Sequence, residues 1–458
     1  MFNKKTLNNQ TVPGTDPVKA RFKRMTETPV PRLITSLAVP TIVSMLVTAL
    51  YNSADTFFVG RISTQATAAV GLVFSVMAII QALGFFCGHG SGNYLSRMLG
   101  AGRMQEASNM ASTGFALAFL LGLTVSVLGL VFLRPIAQML GATPTTLEDT
   151  VSYLRIILLG APFMMPQIVI NNQLRFQGSA IYAMVGLMAG AVINIGLDPL
   201  LIFGLHLGVD GAAIATVMGQ ITSFVILYMG SRRGANIHLH IKNVRLNGHY
   251  ILEIINGGSP SLFRQGMAAI ATLLLNTTAG RLGGDAAIAG MSVVTRIMML
   301  MASALIGFGQ GYQPVCSFNY GANLKKRVKE GYFFCVKYGT LFLLAASVIC
   351  LVFAPQIIAF FRNDPDVIAV GKAALRWQAA ALPLSGCIVM TNMMLQSMGK
   401  GIKGTVMAAS RNGIFFIPLV LILPRLLGLP GLEMTQACSD VLTFCLSIPL
   451  AYSELKKM

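Results

Sequence analysis

Asn194 and Asp198 stand four residues apart inside an apolar run, and Pro199 follows at once. On a helix that spacing puts both side chains on one face, while the proline deprives the carbonyl of Ile195 of its usual partner. Carboxylate, carboxamide and freed carbonyl together form a site for a proton or a small hard cation. Asp55 and Asp440 are the other acids that stand out within apolar runs. Asp55 lies near the end of its run, where it reads equally as part of a site or as a partner for Arg61. Asp440, in Cys438-Ser439-Asp440 among small residues, reads as a structural hydrogen-bonding group. Other chemistry is absent. Seven cysteines form no Cys-x-x-Cys, and His238-x-His240 offers two ligands at most in a loop expected to be flexible. Gly88-x-Gly90-x-Gly92 follows an apolar helix, not a strand, so it is no dinucleotide fingerprint. Without a phosphate-binding loop or a catalytic set, the chain is expected to be no enzyme and to draw energy from an ion gradient.

The elements that must hold these groups follow from composition. Of 458 residues 54% are hydrophobic and 11% charged, well under the roughly 25% charged residues of a soluble domain. Apolar runs long enough to cross a bilayer recur at 33–56, 66–87, 107–133, 151–170, 180–203, 210–230, 253–278, 286–308, 328–353, 370–396, 403–424 and 431–452. These are spans 1 to 12. Residues 1–32 form a basic tail with no cleavable signal pattern. An even number of spans puts both termini on one face. That face collects 22 of the 34 basic residues, which by the positive-inside rule makes it cytoplasmic. The net charge of +18 thus fixes orientation against anionic lipid and does not describe a nucleic-acid surface.

The two halves repeat at an offset of about 220 residues. Pro40 matches Pro260, Gly60-Arg61 matches Gly280-Arg281, and Gly88, Gly90 and Gly100 match Gly309, Gly311 and Gly321. Arg155 meets Arg376, Asn171 meets Asn392 and Gly178 meets Gly399. Six spans per repeat give the halves the same orientation. The expected fold is all-α: two six-helix bundles related by a pseudo-two-fold axis along the membrane normal, with a cleft between them. The divisions are 1–32 tail, 33–230 first bundle, 231–250 cytoplasmic linker and 251–458 second bundle. Arg155, Arg376, Arg264 and Lys337 are placed near interfaces, where long basic side chains snorkel. Arg296 and Arg411 are deeper, with partners the sequence does not name. Met clusters at 164–165, 298–301 and 390–398 suit either helix packing or an adaptable cleft.

The combination of Pro40, Tyr51-Asn52-Ser53-Ala54-Asp55-Thr56-Phe57-Phe58-Val59-Gly60, Asn194-Ile195-Gly196-Leu197-Asp198-Pro199, Gly211-Ala212-Ala213-Ile214-Ala215-Thr216 and Phe416-Ile417-Pro418 resembles the multidrug and toxic compound extrusion (MATE) family, most closely its MepA-like bacterial branch. The resemblance implies an antiporter of the cell inner or plasma membrane, acting as a monomer, that expels organic cations or amphipathic drugs. It places ion coupling on Asp55, Asn194, Asp198 and Thr216, with Tyr153 as a hydrogen-bonding neighbour. No cofactor is implied beyond H+, or Na+ at those same four residues. Tyr51 and Asn171 are expected to border the substrate cleft, and Pro40 to let span 1 bend. Some members of the family use acids on spans 7 and 10. This chain has none in the apolar body of either. A flippase for lipid-linked or polysaccharide precursors is the alternative. It would need basic residues in its cleft, and the sequence puts most of them in loops.

Overall fold

The computed structural model describes residues 17–233 and 236–458, apart from the side chains of Asn52, Ser53 and Thr56. Lys4 and Lys5 of the basic tail lie outside the described residues. Among these residues every regular element is helical. Ten helices are long and apolar enough to cross a bilayer, and Pro365–Ala381 with Leu384–Ser397, bent by 56°, adds a crossing. Gly248–Gly321 runs for 74 residues. A straight helix of that length would measure about 110 Å against a hydrocarbon core of about 30 Å. It breaks instead at Gly283 and Gly284, where Gly284 adopts φ +59°, a conformation open to glycine at little cost. The limbs double back into one apolar cluster, Ala271, Leu275 and Ala279 from one meeting Ala287, Met291 and Val294 from the other. They are spans 7 and 8, and the crossings number twelve.

Span 1 is Val30–Val59, span 2 Thr64–Gly100, span 3 Met104–Val131, span 4 Leu147–Phe176, span 5 Ala180–Pro199 and span 6 Gly208–Ser231. Span 9 is Lys325–Val352, span 10 the bent pair, span 11 Gly401–Leu427 and span 12 Leu429–Leu455. A wide π-turn, Leu200–Gly204, follows Pro199 in span 5, and another, Ser410–Ile414, interrupts span 11. Such turns absorb a misfit in the backbone ladder and recur at functional sites.

Spans 2 and 8 extend well beyond their apolar runs, to Gly100 and Gly321. The polar, glycine-rich residues 88–100 and 309–321 read as loops because hydropathy falls there. They stay helical because the other half of the molecule buries them. A Cβ added at Gly100 would overlap the Phe318 carbonyl, and one at Gly321 the Arg97 carbonyl. Gly311 lies equally tight on Ala38, Gly307 on Ile42, and Gly258 on Phe86. These contacts join spans 2, 7, 8 and 1 across the halves, all toward the face that carries the described chain ends. A shared apolar cluster continues them, with Leu33, Ile34 and Leu37 of span 1 packed with Tyr312, Val315 and Phe318 of span 8. Arg97 adds an ion pair to Glu253 at 2.7 Å. The two bundles are sealed at that face.

The segment expected to be a cytoplasmic linker, 231–250, is tied to the first half by hydrogen bonds. His240 N–H donates to Ser112 Oγ at 3.2 Å, Arg245 N–H to Thr113 Oγ1 at 2.9 Å, and Ile237 N–H to Gln177 Oε1 at 2.6 Å. His238 and His240 are exposed on it.

Candidate functional site

Asp198 and Asn194 leave the same face of span 5 and are both buried, Asp198 at 0% exposure. Thr216 from span 6 and Tyr153 from span 4 are buried with them, and Asp55 approaches half-buried from span 1. Asp198 and Tyr153 both lie within electrostatic reach of Asp55. Among the described residues, 11 buried side-chain polar atoms have no hydrogen-bond partner, and seven belong to these five residues. They are Asp55 Oδ1, Tyr153 Oη, Asn194 Oδ1 and Nδ2, both Asp198 oxygens and Thr216 Oγ1, the two hydroxyls lying near enough to interact with each other. Buried polar groups normally find partners, so an orphaned set of carboxylates, hydroxyls and a carboxamide marks a place built to receive something. Oxygen donors of this kind take up protons or hard cations.

A cavity beside this cluster has Asn194 and Thr216 in its wall and about 870 Å³ of empty space, the solvent at its open side included. Tyr51 and Asn171 line it too, as do Met45 and Met164. Asn171 is fixed by donation from Nδ2 to the Ala183 carbonyl at 2.9 Å. All the lining residues of this cavity come from the first six spans. Two features of the first half account for this. Gly190 of span 5 and Gly219 of span 6 pack too closely for a side chain on either, which closes the cavity wall between those two spans. Span 4 supplies the back wall, with 72% of its most apolar stretch enclosed by protein, against 28–39% for the other single-helix spans. The methionines divide: Met164 borders the cavity, while Met390, Met393 and Met394 are packed core.

Pro40 sits within span 1 without breaking it. Ala38 and Ile42, on either side, are the two residues clamped under Gly311 and Gly307. The stretch beyond them, Met45 to Tyr51, faces the cavity. Pro40 therefore stands where the held part of the helix passes into the part that meets the site.

The second half repeats the scaffold without the orphaned acids. Leu275, the repeat counterpart of Asp55, lies in an apolar cluster. Asp440 accepts from Arg411 Nε at 2.8 Å and Nη2 at 2.9 Å, and from Gln436 at 2.9 Å. Breaking such a pair leaves a half-buried guanidinium unmatched, which costs less than the roughly 3 kcal/mol of a fully buried one. Asp440→Asn is thus expected to lower the melting temperature of the detergent-purified protein while each folded molecule still transports. Glu433, buried in span 12, is an acid that the sequence reading passed over, although it falls inside the run 431–452. Among the described residues it has no ion-pair partner.

Several basic residues differ from expectation: Arg296, expected to be deep, is exposed, and Arg97, counted among loop residues, is buried at 8% exposure in span 2. Arg155, Arg376 and Lys337 are exposed, as snorkelling groups should be. Arg264 instead lies partly buried, about 16 Å along the helix from the expected start of span 7. Arg175, counted among loop residues, is buried at 2% exposure and lines the cavity. Its guanidinium donates to Gln310 of span 8 and to Asn172. Span 4 outruns its apolar stretch by six residues, and hydropathy alone could not show that.

The MatE family model matches the chain twice, over residues 40–200 and 260–422, starting at the two repeat-related prolines. Multidrug export protein MepA of Staphylococcus haemolyticus is 29% identical over 420 residues, covering 91% of this chain and 92% of that protein. The protein of the same description from Staphylococcus aureus is 27% identical over 434 residues, covering 93% and 94%. A solved structure described as the outward-facing conformation of a multidrug resistance MATE family transporter of the MOP superfamily matches with a TM-score of 0.89. It is 27% identical, with 97% of this chain and 98% of that one covered.

Proposed function

The chain belongs to the MatE family of multidrug efflux transporters, and from that premise we propose that it is an antiporter. Asp55 and Asp198, with Asn194, Thr216 and Tyr153, take up H+ or Na+ and couple its entry to the expulsion of organic cations or amphipathic drugs. The observation that carries this reading is the set of seven orphaned polar atoms beside the cavity. An arriving cation gives the oxygens among those atoms a partner and relieves repulsion between the two carboxylates. Substrate and ion then favour different packings of span 1 around Pro40, and coupling needs only that difference in affinity. Tyr51 and Asn171 hold the substrate in the same cavity. The protein works as a monomer in the cell inner or plasma membrane, with both termini cytoplasmic. On that orientation the sealed face is the cytoplasmic one and the cavity is loaded for release outward. Nothing in the cluster favours an enzymatic reaction, and the solved relatives are transporters.

Drug efflux from proteoliposomes, with pH and Na+ gradients imposed separately, tests the coupling. Efflux is expected to rise when one of the two gradients is imposed alone. Transport indifferent to both would sink the antiport reading and leave the family assignment standing.

A further inference from the structure

The two halves put different things at matching positions. Asn171 donates to the Ala183 carbonyl at 2.9 Å, and its repeat partner Asn392 donates to the Gly404 carbonyl at 2.8 Å, each across 12 residues of chain. Spans 4 and 5 therefore run in step with spans 10 and 11. Counted from those bonds, Met164 and Gly190 of the first-half cavity wall correspond to Ser385 and Arg411. Gly208 and Gly428, at φ +54° and +66°, set spans 6 and 12 in step in the same way. From them the wall residues Thr216 and Gln220 correspond to Gln436 and Asp440. A contact across each pair of spans repeats as well. A Cβ at Gly219 would lie 2.8 Å from the Gly190 carbonyl oxygen. Its counterpart Ser439 meets the Arg411 carbonyl through Oγ at 2.6 Å.

In the second half these four residues are bonded to one another. Arg411 donates from Nε and Nη2 to the two oxygens of Asp440, and from Nη2 to Ser385 Oγ at 3.2 Å. Gln436 donates to the same carboxylate. A planar organic cation thus lies on a carboxylate, in the two-bond geometry a free guanidinium would adopt, among the counterparts of cavity-wall residues. The Asp440 side chain is 4% exposed and that of Arg411 28%, so the acid is enclosed while the cation reaches open space. Arg411 also lies in the π-turn of span 11, a local widening of the kind that recurs at functional sites.

We propose that the second half holds a second organic-cation site, built from Asp440, Ser385 and Gln436 and occupied by the chain's own Arg411. The first-half cavity is left open to substrate, while the second bundle carries a tethered ligand that keeps it in its filled packing. This goes beyond the efflux reading and stands on the repeat and the bonding alone.

Arg411→Ala removes the tethered cation, and ethylguanidinium supplies the same atoms beyond Cβ as a free ion. Equilibrium dialysis of labelled ethylguanidinium against the detergent-purified full chain should show one saturable site in the variant that the wild-type protein lacks. Its dissociation constant should be on the order of 1 mM, within reach of a ligand of so few atoms. Ethylguanidinium should raise the melting temperature of the variant and leave that of the wild-type protein unchanged. Ethylurea, neutral and of the same shape, should bind about tenfold more weakly, and Arg411→Ala/Asp440→Asn should lose that preference. The first-half cavity is intact in every form, so the wild-type protein accounts for binding there. No ion gradient is used, so failure of the antiport reading leaves these results untouched. A folded Arg411→Ala variant without the additional site would overturn the proposal, as would equal binding of ethylguanidinium and ethylurea. If the variant folds only when extracted with ethylguanidinium present, the site is supported. If it stays unfolded even then, a free cation cannot replace Arg411 and the proposal falls.

Discussion

Asp198→Asn is expected to cut gradient-driven drug efflux roughly 100-fold, near the upper end of the coupling free energies common between sites. Asn matches Asp in shape, so the fully buried pocket around it keeps its packing. What it loses is the ability to change charge. The variant holds the site permanently in its neutral form, and the ion gradient then has nothing to act on at that position. Asp55→Asn should produce a smaller loss, because Asp55 is only partly enclosed and leaves Asp198 in place. Drug binding should survive in both, since the cavity wall is otherwise intact. Efflux from everted vesicles with imposed gradients makes the measurement. Full transport by Asp198→Asn would remove this residue from the mechanism.

A valine at Gly100 is expected to reduce transport to background by a different route. Gly100 and Gly321 cross with no room for a side chain on either helix, so a wedge there forces the bundles apart at the sealed face. Overpacking of this kind costs about 1–3 kcal/mol, enough to displace a balance between two conformations that differ by a few kcal/mol. Cys316, on span 8 and fully buried, is a native reporter of the seam. With Cys387, Cys438 and Cys445 replaced by Ser, Gly100→Val should make Cys316 react with maleimide several times faster than in the parent. Unchanged labelling together with normal efflux would show that the seam need not close.

The twelve crossings, the repeat and the pair Asn194 and Asp198 were legible because each leaves a local trace: an apolar run, a spaced proline or glycine, an acid where acids are costly. Asp55 read equally as a partner for Arg61, and Thr216 and Tyr153 entered only through the family resemblance. The glycine-rich ends of spans 2 and 8 were not legible. Their polarity mimics a loop, and only burial by the opposite half keeps them helical. Arg175 and Arg264 escaped for the same reason. Nothing near either one in sequence says that span 4 continues past its apolar stretch, or that span 7 turns Arg264 inward. Glu433 leaves the same local trace as the other acids, a carboxylate inside the run 431–452. The cavity lay inside the first half because span 4 is enclosed, a matter of neighbours and not of its own hydropathy.

That enclosure has a consequence for how the protein is made. Span 4 carries Gln167, Asn171, Asn172, Gln173 and Arg175, and each finds partners on other helices or on its own turn. Gln167 donates to Ser223 of span 6 and Asn171 to Ala183 of span 5. Arg175 reaches Gln310, 135 residues downstream. During synthesis span 4 emerges before Ser223, Ala183 and Gln310 exist, although Gln173 finds Ser91 and Ala111 already made on spans 2 and 3. Its polar stripe cannot rest against lipid alone, so it must be sheltered by water or by the insertion machinery until spans 5 and 6 arrive. Arg175 must wait longer, until span 8 is in place. The first bundle is therefore completed only when the second is well advanced, and the two repeats, alike in outline, mature as one unit.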